Sequence, residues 1–176
     1  MIEQRLKSAV RDVLDFPKPG IVFKDITPIL KDPQLCEAVV ECMAEPLDAN
    51  TIDMVAGIES RGFLFGPMLA QRLGKPFVPI RKAGKLPYTT VREEYALEYG
   101  CATIEIHSDA FAPGSRVLVH DDLLATGGTV AATSRLIRRL GGSVAGYTFI
   151  ISLDFLNGRA CLADFSPIIH SLIGYD

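Results

Sequence analysis

The chain has 176 residues, 48% hydrophobic and 22% charged, with 15 Gly and 11 Pro. A chain of that length buries roughly 70% of the surface its unfolded form exposes, so one core suffices without staples, and the composition excludes a collagenous, low-complexity or disordered chain. A net charge of −3 argues against a broad basic surface for nucleic acid, and Cys36, Cys42, Cys101 and Cys161 are scattered without a C-x-x-C pair for zinc or thiol exchange.

In chain order, Ile2, Leu6, Ala9, Val10, Val13 and Leu14 recur at helical spacing, which predicts an amphipathic helix over 2–14, ended by Asp15-Phe16-Pro17-Lys18-Pro19-Gly20. Asp32 followed by Pro33 reads as an N-cap with proline in the first turn, opening a helix through Leu35, Ala38, Val39, Cys42 and Met43 that Pro46 closes. Apolar runs at 52–58, 77–80, 117–119 and 144–153 then alternate with helical patterns near 62–73 and 129–140. Such alternation predicts an α/β fold, a mostly parallel central sheet flanked by helices. Residues 95–99 and 102–107, either side of Gly100-Cys101, depart from it and predict an antiparallel excursion. Residues 155–162 and 167–176 read as a short helix and a final strand, and with no repeat or linker 1–176 is expected to be a single domain. The absence of an apolar leader core or of a run near the roughly 18 residues of a membrane span leads us to expect a cytoplasmic protein.

The richest stretch is Val117-Leu118-Val119-His120-Asp121-Asp122-Leu123-Leu124-Ala125-Thr126-Gly127-Gly128-Thr129. In an open α/β sheet, ligands bind beyond the carboxyl ends of the strands, where Asp121 and Asp122 emerge. Shortly after them, glycines allow close backbone approach, and amides and hydroxyls at a helix start suit a phosphate. Carboxylates repel phosphate, so a site holding both needs hydroxyls or a divalent cation between them, and a phosphorylated sugar meets that need. Neither G-x-x-x-x-G-K-[ST] nor G-x-G-x-x-G is present.

Three further segments draw notice. Glu59-Ser60-Arg61-Gly62-Phe63 is again a strand exit entering a helix, and Arg61 brings fork geometry suited to phosphate oxygens. Residues 81–92 carry Arg81, Lys82, Lys85 and Arg92 and no acid, in a stretch with Gly and Pro fit for a mobile lid. Pro19-Gly20-Ile21-Val22-Phe23-Lys24-Asp25 reads equally well as a loop packed on the core or as part of a site.

The strand, acidic pair and Thr126-Gly127-Gly128-Thr129 loop resemble the signature of the phosphoribosyltransferases, and the Leu123-Leu124-Ala125 spelling is similar to their adenine-specific branch. The likeness runs from Pro19-Gly20 through Thr129 and more weakly beyond, and His120 departs from it where the family commonly has an apolar residue. The resemblance implies the type I fold of that family with a small N-terminal hood, Mg²⁺ as cofactor, a homodimer, and transfer of phosphoribose from phosphoribosyl pyrophosphate (PRPP) to adenine. It implies that Asp121 and Asp122 hold the ribose diol, that Ala125, Thr126, Gly127, Gly128 and Thr129 cradle the ribose phosphate, and that Ser60, Arg61, Arg81, Lys82 and Lys85 hold pyrophosphate. Adenine would lie between Phe23 and Leu123 with its edge read by the Val22 and Lys24 backbone. Tyr95-Ala96-Leu97-Glu98-Tyr99-Gly100 is similar to the family's Y-x-L-E-Y-G, which implies Glu98 as acid or base and Tyr99 in loop closure; Arg61 and Lys85 join Glu98 as catalytic groups. Mg²⁺ would be carried mainly by PRPP, with help from Asp121 and Asp122. Two rivals are a transferase for xanthine or hypoxanthine, disfavoured by the Val22-Phe23-Lys24 segment, and a non-catalytic PRPP sensor, disfavoured by the presence of Arg81, Lys85 and Glu98.

Overall fold

A computed structural model describes residues 1–96 and 100–176. Helix α1 spans Ile2–Ala9, and the chain then turns into a hairpin of β1, Arg11–Leu14, and β2, Val22–Asp25. The helix expected over 2–14 therefore stops five residues early. The apolar spacing was the same, but Arg11 and Asp12 find cross-strand partners: Arg11 pairs with Asp25 at 2.6 Å and Asp12 with Lys24 at 2.7 Å. Each strand also gains backbone partners that a terminal helical turn would leave open. The Pro17-Lys18-Pro19-Gly20 turn closes the hairpin, with Asp15 accepting from the Gly20 amide at 2.7 Å.

Helix α2, Pro33–Ala44, starts as its sequence demands, with the Asp32 carboxylate accepting from the Leu35 amide at 3.1 Å. Then follow β3, Met54–Ile58; α3, Gly62–Leu73; β4, Phe77–Lys82; β5, Thr90–Ala96; and β6, Cys101–His107. The chain continues with β7, Arg116–His120; β8, Leu123–Leu124; α4, Gly128–Arg139; β9, Ser143–Leu153; and β10, Ile169–Tyr175. Two 3-10 turns, Asp154–Leu156 and Gly158–Cys161, stand where a short helix was expected.

The sheet order is β10-β9-β7-β3-β4-β6-β5, parallel from β10 to β4 and antiparallel at β6 and β5, with β8 alongside β9. The antiparallel excursion is thus confirmed but begins at Thr90, before the expected 95, because Val91 to Ala96 have partners along all of β6. The central strands are buried on both faces, which is why their sequences are continuous apolar runs. Alternate residues feed two cores: Val55 and Leu118 pack with Leu6, Val39, Met43, Phe65 and Leu69 from α1, α2 and α3. Ala56, Ile58, Val117 and Val119 pack on the other side with Val130, Leu136 and Ile137 of α4. Among the described residues, no helix is long and apolar enough to cross a membrane.

Candidate active site

β3 and β7 are parallel neighbours, with Gly57 opposite His120, so the residues that leave them emerge side by side at one edge of the sheet. Glu59, Ser60 and Arg61 leave the first strand; Asp121 and Asp122 leave the second. Gly62 lets them meet: a Cβ there would stand 2.9 Å from the His120 carbonyl oxygen and 3.2 Å from an Asp121 carboxylate oxygen. The start of α3 is therefore packed against the acidic pair, where the helix dipole favours negative charge.

Arg61 ties the site together. Its Nε lies 3.2 Å from Asp122 Oδ2, an ion pair without good hydrogen-bond alignment. One terminal nitrogen donates to the Lys24 carbonyl at 3.4 Å, and the guanidinium lies over the Phe23 ring, 4.7 Å from its centre. The hairpin, the strand exit at Arg61 and the acidic pair thus converge. Phe16 meets Phe23 edge-on at 5.0 Å, and the Lys24 ammonium points elsewhere, to Asp12 and over the Tyr175 ring at 4.0 Å. Only the backbone of Lys24 faces Arg61. Val22 is exposed and Leu123 half-buried in β8, beside Ile151 of β9.

Asp122 is buried, its carbonyl accepting from the Ile150 and Ile151 amides at 3.0 and 2.9 Å, and its own amide donates to Asp121 Oδ1 at 2.9 Å. Burial raises the pKa of both carboxyls; the Asp122 charge lifts Asp121 further, while Arg61 opposes the rise in each. With Asp122 Oδ2 lacking a hydrogen-bond donor, the pair could take hydroxyl groups or a hard cation.

Gly127 adopts φ +82°, and a Cβ on it would meet the Gly158 carbonyl oxygen at 2.7 Å, so the 3-10 turn after β9 closes directly over the loop. α4 begins at Gly128, and helix geometry leaves its first-turn amides without intrahelical acceptors, beside the hydroxyls of Thr126 and Thr129.

The basic segment is organised by two carboxylates that the sequence did not single out. Glu59 accepts from Arg81 Nε at 3.0 Å and from the Lys82 amide at 3.1 Å, while Arg81 also donates to the Lys85 carbonyl at 3.0 Å. Glu105 of β6 is fully buried and accepts from the Lys85 and Leu86 amides, both at 2.9 Å, from Thr90 Oγ1 at 3.2 Å and from Arg92 Nε at 3.0 Å. Burial alone would raise its pKa; amides of the 84–86 turn and Arg92 outweigh that and hold it at about 2. The one available signal was the hairpin register, which sets Arg92 opposite Glu105. Lys82 and Lys85 are exposed beside this frame. Glu98 and Tyr99, assigned above to proton transfer and loop closure, lie outside the described residues. His120 is buried with Nδ1 2.9 Å from Thr148 Oγ1, and burial lowers its pKa to about 4, so it is neutral.

Fold and site together define an α/β domain with an acidic pair, a glycine-threonine loop at a helix start and a basic turn at one sheet edge. A family model, the phosphoribosyl transferase domain, matches residues 25–154. The adenine phosphoribosyltransferase of Cytophaga hutchinsonii is 57% identical over 175 residues, covering 99% of this chain and 97% of that protein. The crystal structure of adenine phosphoribosyltransferase from Thermoanaerobacter pseudethanolicus superposes with a TM-score of 0.95 at 48% identity, covering 99% and 100% of the two chains. The Saccharomyces cerevisiae enzyme, complexed with an imino-altritol bisphosphate and adenine, does so at 0.88 and 40% identity, covering 98% of each chain. The chain belongs to the adenine phosphoribosyltransferase family.

Proposed function

We infer that this chain transfers the phosphoribosyl group of PRPP to adenine, giving AMP and pyrophosphate, a purine-salvage reaction. The observation that carries the reading is the convergence on Arg61: one guanidinium reaches the hairpin at Phe23 and Lys24 and the buried Asp122, which supports base, pyrophosphate and ribose subsites around one side chain. Identity of 57% with an adenine phosphoribosyltransferase supports adenine as the base.

The roles follow from where charge develops. As the bond from C1′ to pyrophosphate breaks, the ribose becomes cation-like and the leaving group gains negative charge, so carboxylates belong near the first and cations near the second. Asp121 and Asp122 accept from the ribose hydroxyls and stabilise the cation-like ring. Ser60, Arg61, Arg81, Lys82 and Lys85 hold pyrophosphate, with Arg61 and Lys85 stabilising its departing charge. Arg81 is largely turned to Glu59 and the Lys85 carbonyl, so part of its action is to brace the turn. Residues 125–129 hold the 5-phosphate. The base stacks on Phe23, against Leu123, and main-chain groups of Val22 and Lys24 read its edge; N9 then bonds to C1′ and Glu98 handles the imidazole proton. Holding base and sugar in line removes much of the entropic barrier.

The acidic pair, raised in pKa and short of cations, fits a hard divalent ion such as Mg²⁺, bound mainly through PRPP oxygens with help from Asp121 and Asp122. Among the described residues there is no cluster of three His, Cys, Asp or Glu for an all-protein cage. When bound, the ion neutralises charge on pyrophosphate. We further propose that 1–176 works as a single domain and pairs as a homodimer, in the cytoplasm.

The test is a phosphoribosyl transfer assay with adenine, hypoxanthine, guanine and xanthine in turn, with and without Mg²⁺. Formation of AMP alone, dependent on Mg²⁺, is expected. A preference for another base would overturn the adenine assignment, and PRPP binding without turnover of any base would favour a sensor.

A further inference from the structure

Tyr95 stands in the Tyr95–Gly100 motif, yet the reaction as assigned gives it nothing to do. It sits near the end of β5, and its ring packs on the start of α4: a Cβ on Gly128 would lie 3.7 Å from Tyr95 Cδ2. Thr129 Oγ1 donates to the Tyr95 hydroxyl at 2.9 Å. The Thr129 carbonyl in turn accepts from Thr133 Oγ1 at 3.0 Å, which fixes the first turn of the helix. Further back, Glu93 accepts from Arg135 and Arg139, both at 2.6 Å, and the Arg92 carbonyl accepts from Arg139 at 2.6 Å. The strand that leads toward Glu98 is therefore fastened along the helix whose first turn faces the phosphate, and Tyr95 is the fastening that touches the phosphate loop itself.

We propose that Tyr95 is a positioning residue for the 5-phosphate subsite: its hydroxyl aims the Thr129 hydroxyl at the phosphate and links occupancy of that subsite to the strand leading to Glu98. The proposal rests on the assignment of residues 125–129 to the ribose phosphate. A threonine hydroxyl has one proton to give, and in this arrangement Thr129 gives it to Tyr95. A phosphate dianion only accepts. When it arrives, the Thr129 proton turns to a phosphate oxygen, and the Tyr95 hydroxyl reverses from acceptor to donor and gives its own proton to a lone pair of Thr129 Oγ1. The resulting chain, Tyr95 O–H to Thr129 Oγ1–H to phosphate, polarises along its length and holds the threonine in one rotamer. No other change in position is needed, since the two oxygens are already at hydrogen-bond distance.

The experiment uses Tyr95→Phe, which removes the oxygen and leaves the ring against Gly128, with calorimetry on ribose 5-phosphate, PRPP and inorganic pyrophosphate. Losing the hydroxyl that holds the Thr129 rotamer and polarises its bond to phosphate predicts roughly threefold to tenfold weaker binding of ribose 5-phosphate and of PRPP alike, with pyrophosphate affinity unchanged and a slightly lower urea midpoint from the Thr129 bond lost in the free protein. KM for PRPP rises by the same factor and kcat falls less. In a Thr129→Val background the Tyr95→Phe effect shrinks below about twofold, whereas in a Thr129→Ser background, which retains the hydroxyl, it persists. Unchanged or tighter ribose 5-phosphate binding by Tyr95→Phe would overturn the proposal alone, as would an equal effect in the Val background or an equal loss of pyrophosphate affinity. Failure of the wild-type protein to bind ribose 5-phosphate would remove the phosphate assignment and this proposal together.

Discussion

Glu105→Gln is the substitution whose cost can be worked most fully from the structure. Both Lys85 and Leu86 amides reach Oε1, while Thr90 Oγ1 and Arg92 Nε reach Oε2. A glutamine keeps one oxygen, so it can serve the two amides but must then turn its NH₂ toward the threonine and arginine donors, or the reverse. The Thr90 hydroxyl can rotate to accept from that NH₂, but the Arg92 bond is lost and donor faces donor there. The carboxyl pKa of about 2 against an ordinary 4.5 sets the scale, ~3.5 kcal/mol in favour of the ionised form. Arg92 is more than half exposed, so solvent screens its share, and the two retained amide bonds lower the loss further; about 2 kcal/mol is expected. The sign with pH is fixed. A depressed pKa contributes stability that is whole above about 4.5 and lost as pH falls toward 2, so the gap between wild type and variant should narrow over that window. Urea unfolding at pH 7, 5 and 4 reads it, and loosening of the 84–90 turn should raise KM for PRPP more than KM for adenine. A gap that stays constant or widens as pH falls would refute the electrostatic account of this residue.

Asp122→Asn should lower turnover by about two orders of magnitude or more, since it removes a carboxylate from the cation-like ribose; near-normal single-turnover rates would count against its role. Glu98→Gln should cost roughly 10²–10⁴-fold in kcat and flatten one limb of the pH–rate profile, and an unaltered profile would reduce Glu98 to a structural part. Gly127→Ala combines a positive φ with a Cβ that would meet the Gly158 carbonyl oxygen at 2.7 Å, so a loss of about 2 kcal/mol in stability and weaker ribose 5-phosphate binding are expected in parallel. Full phosphate affinity in a folded variant would show that the closure by the Gly158 turn is dispensable.

The sequence by itself determined much of this protein. Continuous apolar runs suit burial on both faces, so 52–58 and 117–119 were legible as strands of a mostly parallel sheet, observed at 54–58 and 116–120, and the Asp32-Pro33 start and the Gly127-Gly128 bend marked where α2 and α4 begin. The acidic pair and the glycine-threonine bend were visible as candidates because each is local in sequence. The same local reading failed at 10–14, where the apolar spacing is helical but the choice fell to Asp25 and Lys24, which pair with Arg11 and Asp12 across the hairpin. Only the tertiary structure set β3 beside β7, which brings Arg61 onto Asp122, and only the closure of the basic turn over β6 turned Glu105 from a strand's polar face into a buried anchor. Backbone conformation is set largely by neighbours in sequence and only at 10–14 by a distant partner, whereas the energy of a charge depends on what surrounds it in space, so most elements could be read from the string and the electrostatics of the site could not.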